Sequence, residues 1–317
     1  MRILVVIVNY KTADLTIDAL ASIEGEVRSL GDVQVVVTDN ASPDDSIAKI
    51  EHAITVRNWS SWCSLKRLER NGGFAYGNNE GVRPFLSRDE KPQYVWLLNP
   101  DTIARPGAIG TLVRHLDENP KVGIVGSRME NPDGSPQSSA FRFPSIASEF
   151  EHGAKLGIIS KIFARYVVAP PPPTKIQQVE WLVGASMMIR REVFESIGFM
   201  DDSYFMYFEE VDFCRRARKA GWPCVYVPES RVVHLIGQSS GVTDKTKLNR
   251  RRPQYWFDSR RRYFVKNHGR LYALLADLAF AIGFSFWRIR RKLQRKPDQD
   301  PQKLLSDFIR NSALIRA

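Results

Sequence analysis

Short apolar runs that alternate with helix-like segments are the first regular feature of this 317-residue chain. Four runs are rich in Val, Ile and Leu: residues 3–8, 33–38, 94–98 and 122–126. Runs of this length are typical of strands that are covered on both faces of a sheet. Between the first two runs, Ala19, Leu20 and Ile23 recur at helical spacing. This alternation predicts an α/β fold with a mostly parallel, Rossmann-like sheet in a three-layer α/β/α sandwich.

Polar side chains follow the ends of three predicted strands. Asn9 follows the first run, Asp39 the second, and Asn99-Pro-Asp101 the third. Ligands of parallel sheets bind beyond the carboxyl ends of the strands. Asp39 in this place could accept the imide N–H of a uracil or thymine base, or it could only start a turn. Asp101 could hold a divalent cation on two phosphates, or it could cap the next helix.

Two further segments carry weaker signals for phosphate or metal binding. Residues 71–81 are rich in glycine and would let backbone approach a ribose or diphosphate, but they match neither the dinucleotide fingerprint nor the P-loop. They could also be only a loop that closes onto a helix. His234 follows an apolar run and could either be structural or complete a metal shell with Asp101.

An acidic cluster follows an aromatic run at residues 204–208. Glu209, Glu210 and Asp212 stand at the start of a predicted helix. Acids at this place stabilise the helix dipole. The aromatic run that leads into them also fits a general base in a pocket that excludes water.

The charge of the chain is concentrated in one segment. Residues 245–296 carry 16 Lys and Arg against two Asp, a net of +14, while the rest of the chain has a net of −3. Within this segment, residues 271–287 are mostly apolar, with Asp277 as the exception. They predict either a helix that lies on an anionic membrane or a core helix that packs on the protein or on a second subunit. Three cysteines without metal-type spacing fit a reducing compartment, and the N-terminal apolar run is too short for a signal peptide.

Taken together, the motifs have the order found in one enzyme family. They are Val8-Asn-Tyr-Lys11, Thr38-Asp-Asn-Ala-Ser42, residues 71–79, Leu97-Leu-Asn-Pro-Asp101, Trp181-Leu-Val-Gly-Ala185, residues 205–212 and His234. Over residues 3–240 the chain resembles the family-2 inverting glycosyltransferases of the GT-A fold, in particular the bacterial rhamnosyltransferase-like branch.

The resemblance implies a role for each candidate residue. Asn9, Asp39, Asn71, Gly73 and Asn99 would bind the donor nucleotide, Trp181 and Gly184 would border the acceptor, and Asp101 and His234 would hold Mg²⁺ or Mn²⁺. Glu210 would be the catalytic base, with Glu209 and Asp212 as the alternatives. Asn99 and Glu210 each stand where the family has Asp, which reduces the charge at the metal and lengthens the base by one methylene.

The activity that the resemblance implies is an inverting transfer of a sugar from a nucleotide diphospho-sugar, linked to dTDP or UDP. L-rhamnose from dTDP-rhamnose is the expected sugar, and a polyprenyl-linked or polysaccharide acceptor in cell-envelope glycan assembly is the expected substrate. We expect a protein on the cytoplasmic, inner face of the cell membrane that binds its anionic surface through 245–296. A homo-oligomer is a further expectation, and nucleic acid is not an expected partner. The alternatives are a sugar-phosphate nucleotidyltransferase and a non-enzymatic nucleic-acid-binding protein.

The same reasoning predicts the domain organisation. Residues 1–240 would form the catalytic domain, with a nucleotide-sugar half at 1–102 and an acceptor half at 103–240. Residues 241–317 would form a basic, aromatic-rich helical appendage.

Overall fold

A computed structural model describes residues 1–235 and 250–316 of the chain, which group into two compact units. The first unit contains 1–141, 171–205 and 209–235, and the second contains Arg142–Pro170, Met206–Phe208 and 250–316. The predicted boundary at 240/241 and residues 245–249 of the basic segment lie outside the described residues.

The strands belong to the first unit. They are β1 (Ile3–Asn9), β2 (Val33–Asp39), β3 (Cys63–Arg67), β4 (Tyr94–Leu98), β5 (Thr102–Ala104), β6 (Ile124–Glu130), β7 (Ala140–Phe141), β8 (Gln177–Val179), β9 (Trp181–Leu182), β10 (Ser186–Arg190) and β11 (Cys224–His234). The four predicted apolar runs coincide with β1, β2, β4 and β6.

One sheet in the described part of the chain has the strand order β3-β2-β1-β4-β10-β6-β11-β5, with β8 paired to β11. The strands β3, β2, β1 and β4 are parallel to each other, as are β6 and β11. The strand β10 runs antiparallel between β4 and β6. The carboxyl ends of β1, β2 and β4 therefore lie side by side at one edge of the sheet.

The helices are distributed over both units. They are α1 (Ala13–Leu30), α2 (Ser46–Val56), α3 (Gly73–Leu86), α4 (Ala108–Glu118), α5 (Ile146–Ala154), α6 (Gly157–Ile162), α7 (Arg191–Ile197), α8 (Glu209–Lys219), α9 (Gln254–His268), α10 (Arg270–Leu293) and α11 (Leu304–Arg310).

Helices cover both faces of the sheet, which confirms the predicted α/β fold. Val5 of β1 belongs to the buried cluster that also holds the apolar face of α1. Val6 and Val8 of the same strand point to the other face, which α3 covers. A Cβ on Gly81 of α3 would lie 2.5 Å from a methyl group of Val6, and a Cβ on Gly77 would lie 2.6 Å from one of Val8. The strands β1 and β4 are apolar except at Asn9, where β1 ends, because both faces of these strands are buried.

In the second unit, α5 and α10 pack through glycine. A Cβ on Gly153 would lie 2.7 Å from the carbonyl oxygen of Phe280, and one on Gly283 would lie 2.6 Å from that of Phe150. The two helix backbones are therefore in direct contact. Arg260 of α9 lies beside this pair and bonds with both Glu149 and Asp277.

The two compact units divide the chain differently from the predicted domain organisation. Residues 142–170 and 206–208, which the sequence assigned to the acceptor half at 103–240, group with the C-terminal helices instead. The physical reason is the contact between Gly153 and Gly283, which are far apart in the chain. The basic region is therefore one part of a unit to which earlier segments also contribute.

The glycine contact leads to a stability prediction. We expect Gly283→Ala to destabilise the protein by about 1–3 kcal/mol, because the added methyl group meets backbone atoms that cannot move independently. Gly25→Ala in α1 is the matched control, since a Cβ there meets nothing within 4 Å. It should be stabilising by about 0.5–1 kcal/mol through helix propensity. Thermal unfolding followed by circular dichroism compares the two variants, and equal effects would contradict the close packing.

Candidate active site

The side chains of Asn9 and Asp39 meet where β1 and β2 end. The parallel register aligns the two residues, and Asn9 Nδ2 donates to Asp39 Oδ2 at 2.6 Å. The backbone N–H and the hydroxyl of Ser42 also donate to the Asp39 carboxylate, at 2.8 and 2.7 Å. A buried carboxylate needs such donors to remain charged. Asp39 is fully buried and is held in one orientation at the sheet edge.

The glycine-rich segment is tied to the same edge. Asn40 Nδ2 donates to the carbonyl oxygen of Gly73 at 2.9 Å, and the Gly73 N–H donates to Asn71 Oδ1 at 3.0 Å. Gly73 has a φ of +85°, and a Cβ there would lie 1.8 Å from the carbonyl oxygen of Phe205. Only glycine fits this position, which opens α3. The structure therefore places Asn71 and Gly73 next to the strand end that carries Asp39 and Asn40.

Asp101 and His234 meet at the connection between β4 and β5. His234 pairs with Thr102 in the sheet, and its Nε2 lies 3.5 Å from Asp101 Oδ1. The Leu235 N–H donates to the carbonyl oxygen of Asp101 at 2.9 Å. Asp101 is buried, while His234 remains partly exposed. The two predicted metal residues are thus neighbours, although more than 130 positions separate them in the sequence.

The donor atoms at this place fit a divalent cation that also binds phosphate. Asn99 Oδ1 is buried, and within 1–235 and 250–316 it accepts no hydrogen bond. Asp101 and His234 add a carboxylate and an imidazole. The described residues contain no cluster of three His, Cys, Asp or Glu that could bind a metal by itself. A cation here would take its remaining ligands from water and from a bound diphosphate.

Trp181 and Gly184 lie on the approach to α8. Trp181 stacks on Phe141, with ring centroids 4.2 Å apart, in the small sheet formed by β7 and β9. A Cβ on Gly184 would lie 2.9 Å from the Phe74 ring and 3.9 Å from Glu210 Cβ. The next residue, Ala185, accepts the N–H of Asn99 at 3.0 Å. These contacts connect Glu210 with the β4 end.

The three acidic candidates of α8 have different surroundings. Asp212 is fully buried and accepts from Arg216 Nε at 2.9 Å, and Arg216 also donates to the backbone carbonyls of Ile197 and Phe199. Glu209 is buried as well, whereas Glu210 is half-buried. Asp212 therefore holds α8 in place by an ion pair.

Glu210 has the chemistry of a proton acceptor near neutral pH. Burial raises the pKa of Glu210 from its ordinary value of 4.5 to about 7, although N–H groups of the first helical turn oppose the rise. Its Oε2 is buried and has no hydrogen-bond partner among the described residues. A carboxylate with these properties can take a proton from a bound hydroxyl group.

Continuous contacts thus bring the predicted residues together, and they include four that sequence reasoning gave no role. Ser42 contacts Asp39, Phe74 contacts Gly184, and Phe141 contacts Trp181. The fourth, Arg216, stands four residues after Asp212, a spacing that predicts a helical ion pair and could have identified Asp212 as structural. No comparable signal in the sequence identifies Phe74 or Phe141, because their contacts depend on the fold.

Comparison with known proteins shows the family to which the chain is similar. A family model described as glycosyltransferase like family 2 matches residues 1–255. The chain is 34% identical over 222 residues to an N-acetylglucosaminyl-diphospho-decaprenol L-rhamnosyltransferase of Mycobacterium tuberculosis. The aligned region covers 66% of this chain and 68% of that protein. It is 26% identical over 265 residues to the low-salt glycan biosynthesis hexosyltransferase Agl10 of Haloferax volcanii. That alignment covers 83% of this chain and 75% of Agl10.

Solved structures share the fold at low sequence identity. GalNAc-T7, crystallised with UDP, GalNAc and Mn²⁺, matches 98% of this chain with a TM-score of 0.60 at 15% identity, and the chain spans 54% of its length. Residues 1–349 of Staphylococcus aureus TarS, in complex with UDP-GlcNAc, match 98% of this chain with a TM-score of 0.56 at 13% identity, and the chain spans 82% of that length. These likenesses confirm the predicted fold class.

The family model covers most of the chain, and it includes both the sheet edge that carries Asp39 and the helix that carries Glu210. It favours the predicted glycosyltransferase over the nucleotidyltransferase and the nucleic-acid-binding protein. This chain belongs to glycosyltransferase family 2.

Proposed function

We propose that this protein transfers L-rhamnose from dTDP-rhamnose to a hydroxyl group of a glycan carried on a polyprenyl diphosphate. The contacts that run from Asp39 through Asn99 to Glu210 carry the proposal, because they join a base-binding carboxylate, a diphosphate-metal site and a proton acceptor in one unit. The activity in the name of the Mycobacterium tuberculosis relative, an L-rhamnosyltransferase acting on a decaprenol-linked sugar, supports the sugar and the lipid-linked acceptor. Such a reaction would serve cell-envelope glycan assembly.

The donor would lie across the carboxyl ends of β1, β2 and β4. Asp39, which Asn9 and Ser42 already orient, would accept the imide N–H of the thymine base with a remaining lone pair. Asn71 and the exposed backbone around Gly73 would line the nucleoside and diphosphate. Asn99, Asp101 and His234 would hold Mg²⁺ or Mn²⁺. This ion, when bound, would offset the negative charge that grows on the departing diphosphate.

The acceptor would enter between Trp181 and Glu210, along the segment where Gly184 has no side chain and the Phe74 ring packs in its place. Trp181, which is partly exposed and stacks on Phe141, would contact a sugar of the acceptor. Glu210 takes the proton of the acceptor hydroxyl while the oxygen attacks the anomeric carbon and the bond to the diphosphate breaks. Attack from the face opposite to the leaving group inverts the anomeric configuration.

The donor site is tested by binding. We expect dTDP-rhamnose, in a panel of dTDP-, UDP- and GDP-sugars with Mn²⁺, to raise the melting temperature most. EDTA and Asp101→Ala should each remove most of this shift and abolish transfer, because Asp101 would supply a carboxylate ligand to the cation. The measurement is a thermal-shift titration combined with a transfer assay.

The matched control for the donor test is Asp133→Ala, which removes an exposed carboxylate of the same unit. It should leave the shift and the transfer unchanged. Full activity in EDTA would contradict the metal site, and a larger shift with UDP- or GDP-sugars would contradict the proposed nucleotide.

The proton acceptor is tested by Glu210→Gln. Loss of a general base typically slows a reaction by about 10²–10⁴-fold. We expect a loss of kcat in this range with donor binding retained. In wild-type protein kcat/KM should rise with pH through a midpoint near 7, where Glu210 loses its proton, and this rise should be absent from the residual activity of the variant.

Stability separates Glu210 from its neighbour Asp212. Because the folded-state pKa of Glu210 lies above its ordinary value, ionisation of this group destabilises the fold as pH rises through 7. Glu210→Gln should therefore melt no earlier than wild type at pH 8. Asp212→Asn breaks the pair with Arg216 and should melt earlier. An active Glu210→Gln enzyme beside an inactive Glu209→Gln enzyme would assign the base to Glu209.

We further propose that the second unit attaches the protein to the inner leaflet of the cell membrane. Seven large apolar residues on one face of α10 are exposed: Leu271, Leu275, Leu278, Ile282, Phe286, Ile289 and Leu293. Their spacing of three or four residues forms a continuous line, which we call the α10 apolar stripe. Arg270 and Lys292 stand near its two ends, which favours an anionic surface.

The other face of α10 supports attachment along the surface rather than passage through the bilayer. By length and composition alone α10 could span a membrane. Its Asp277 is buried, however, bonds with Arg260 and accepts the Ala313 N–H at 2.7 Å. Gly283 is packed against α5. A spanning helix would have to leave these contacts, so only the stripe is available to lipid.

The stripe is tested by vesicle binding at two salt concentrations. We expect Leu271→Ser/Leu278→Ser/Ile282→Ser to lose the part of vesicle binding that survives high salt, because this part comes from apolar burial. The low-salt part should persist, since each nearby Lys or Arg contributes about 1 kcal/mol that salt screens. Co-sedimentation with anionic vesicles measures both parts.

The control for the stripe is Leu30→Ser/Val56→Ser, which changes exposed apolar residues of the first unit. It should bind vesicles like wild type. A stripe covered by a second subunit would give the opposite result: the triple variant would dissociate into monomers and its vesicle binding would not change.

A further inference from the structure

A groove between α10 and α11 has a lining that none of the proposed chemistry uses. Its volume is about 470 Å³, within the range of about 300–1,000 Å³ that is usual for ligand pockets. Ile289, Leu305 and Ile309 contribute apolar surface, and Lys292 and Lys303 contribute two cations. An apolar lining with cations beside it suits a ligand that has a hydrocarbon part and an anionic head.

The two lysines are available to a ligand. Both are exposed, and in the described ranges neither forms an ion pair with a carboxylate. The third cation of the groove, Arg288, is already engaged, since its Nη1 lies 2.8 Å from Asp298. Lys292 and Lys303 therefore give the groove two cations outside any described ion pair, to which phosphate oxygens would bind through charge-assisted hydrogen bonds.

The apolar lining is unusually open for a water-facing surface. Ile289 is 61% exposed and Ile309 is 42% exposed, although Phe284 behind them is buried. Ile289 also belongs to the α10 apolar stripe, so the groove continues the surface that we propose to contact lipid. A ligand that arrives from the membrane could slide along the stripe into the groove without crossing water.

We infer that this groove binds one anionic phospholipid molecule of the leaflet. Its phosphate pairs with Lys292 and Lys303, and one acyl chain lies on Ile289, Leu305 and Ile309. A free phosphate ion would leave this apolar lining exposed, and a neutral lipid would leave the two lysines without a partner. The site deepens the proposed membrane attachment, because it adds selection of one lipid class to general adhesion.

A soluble lipid tests the groove separately from the membrane. We expect dihexanoyl-phosphatidylglycerol, added to the full-length protein below its micelle concentration, to bind saturably with one molecule per chain. Lys292→Gln/Lys303→Gln should weaken this binding by about tenfold or more, since two charge-assisted contacts are lost. Arg295→Gln/Lys296→Gln removes the same charge from exposed positions outside the groove and should remain close to wild type. Isothermal titration calorimetry measures all three.

Further ligands and a lining variant give the outcomes that would overturn the inference. Ile309→Ser should weaken the binding of the lipid, and it should not disturb the fold because the side chain is exposed. Equal affinity for inorganic phosphate would show that the groove binds only an anion. Tighter binding of farnesyl diphosphate would assign the groove to an isoprenoid carrier. Equal affinity for dihexanoyl-phosphatidylcholine would show that the charge of the lipid has no role. An unchanged thermal shift with the sugar donor in each variant separates this result from any failure of the proposed transfer reaction.

Discussion

The buried hydrogen bond between Asn9 and Asp39 is the interaction on which the rest of the first unit depends. A carboxylate without access to water must be surrounded by donors, and here the donors come from β1 and from the turn at Ser42. The same bond joins the two strand ends that a nucleotide base would meet. Parallel pairing then fixes where β4 ends, and with it the position of Asp101. The need of the buried Asp39 carboxylate for donors and the parallel pairing of β1, β2 and β4 thus determine where the side chains at the strand ends lie.

In the second unit, too, a buried charged group is surrounded by partners. Arg260 is buried and bonds with Glu149 and Asp277, which ties α5, α9 and α10 together. Because Asp277 faces inward to Arg260, it does not interrupt the α10 apolar stripe, which stays exposed. Hydrophobic exposure of this extent is unfavourable in water and is typical of surfaces that bind a partner or a membrane. A transferase that acts on lipid-linked glycans would have a use for such a surface.

The sequence predicted the strands and their polar ends well because these are local properties. Each apolar run is buried on both faces, and Asn9, Asp39 and Asn99 follow directly from where the runs stop. It does not predict the contact between α5 and α10, because Gly153 and Gly283 are distant in the chain and glycine has no side chain that would mark a contact. In the sequence, Asp277 likewise looks like an interruption of an apolar helix, since its partner Arg260 belongs to another helix. The spacing of Asp212 and Arg216 could have set Asp212 apart, whereas Glu209 and Glu210 could be distinguished only when their individual burial was known.

We propose that the sugar moves in a single displacement between the strand-end donor site and Glu210. The most direct test is the anomeric configuration of the product, read by NMR from the transfer of rhamnose to a lipid-linked glycan. Direct attack from the face opposite to the diphosphate predicts that the new bond has the configuration opposite to that of the donor. A product that retains the configuration of the donor would contradict the account, because it would require a second displacement for which this arrangement of Glu210 supplies no role.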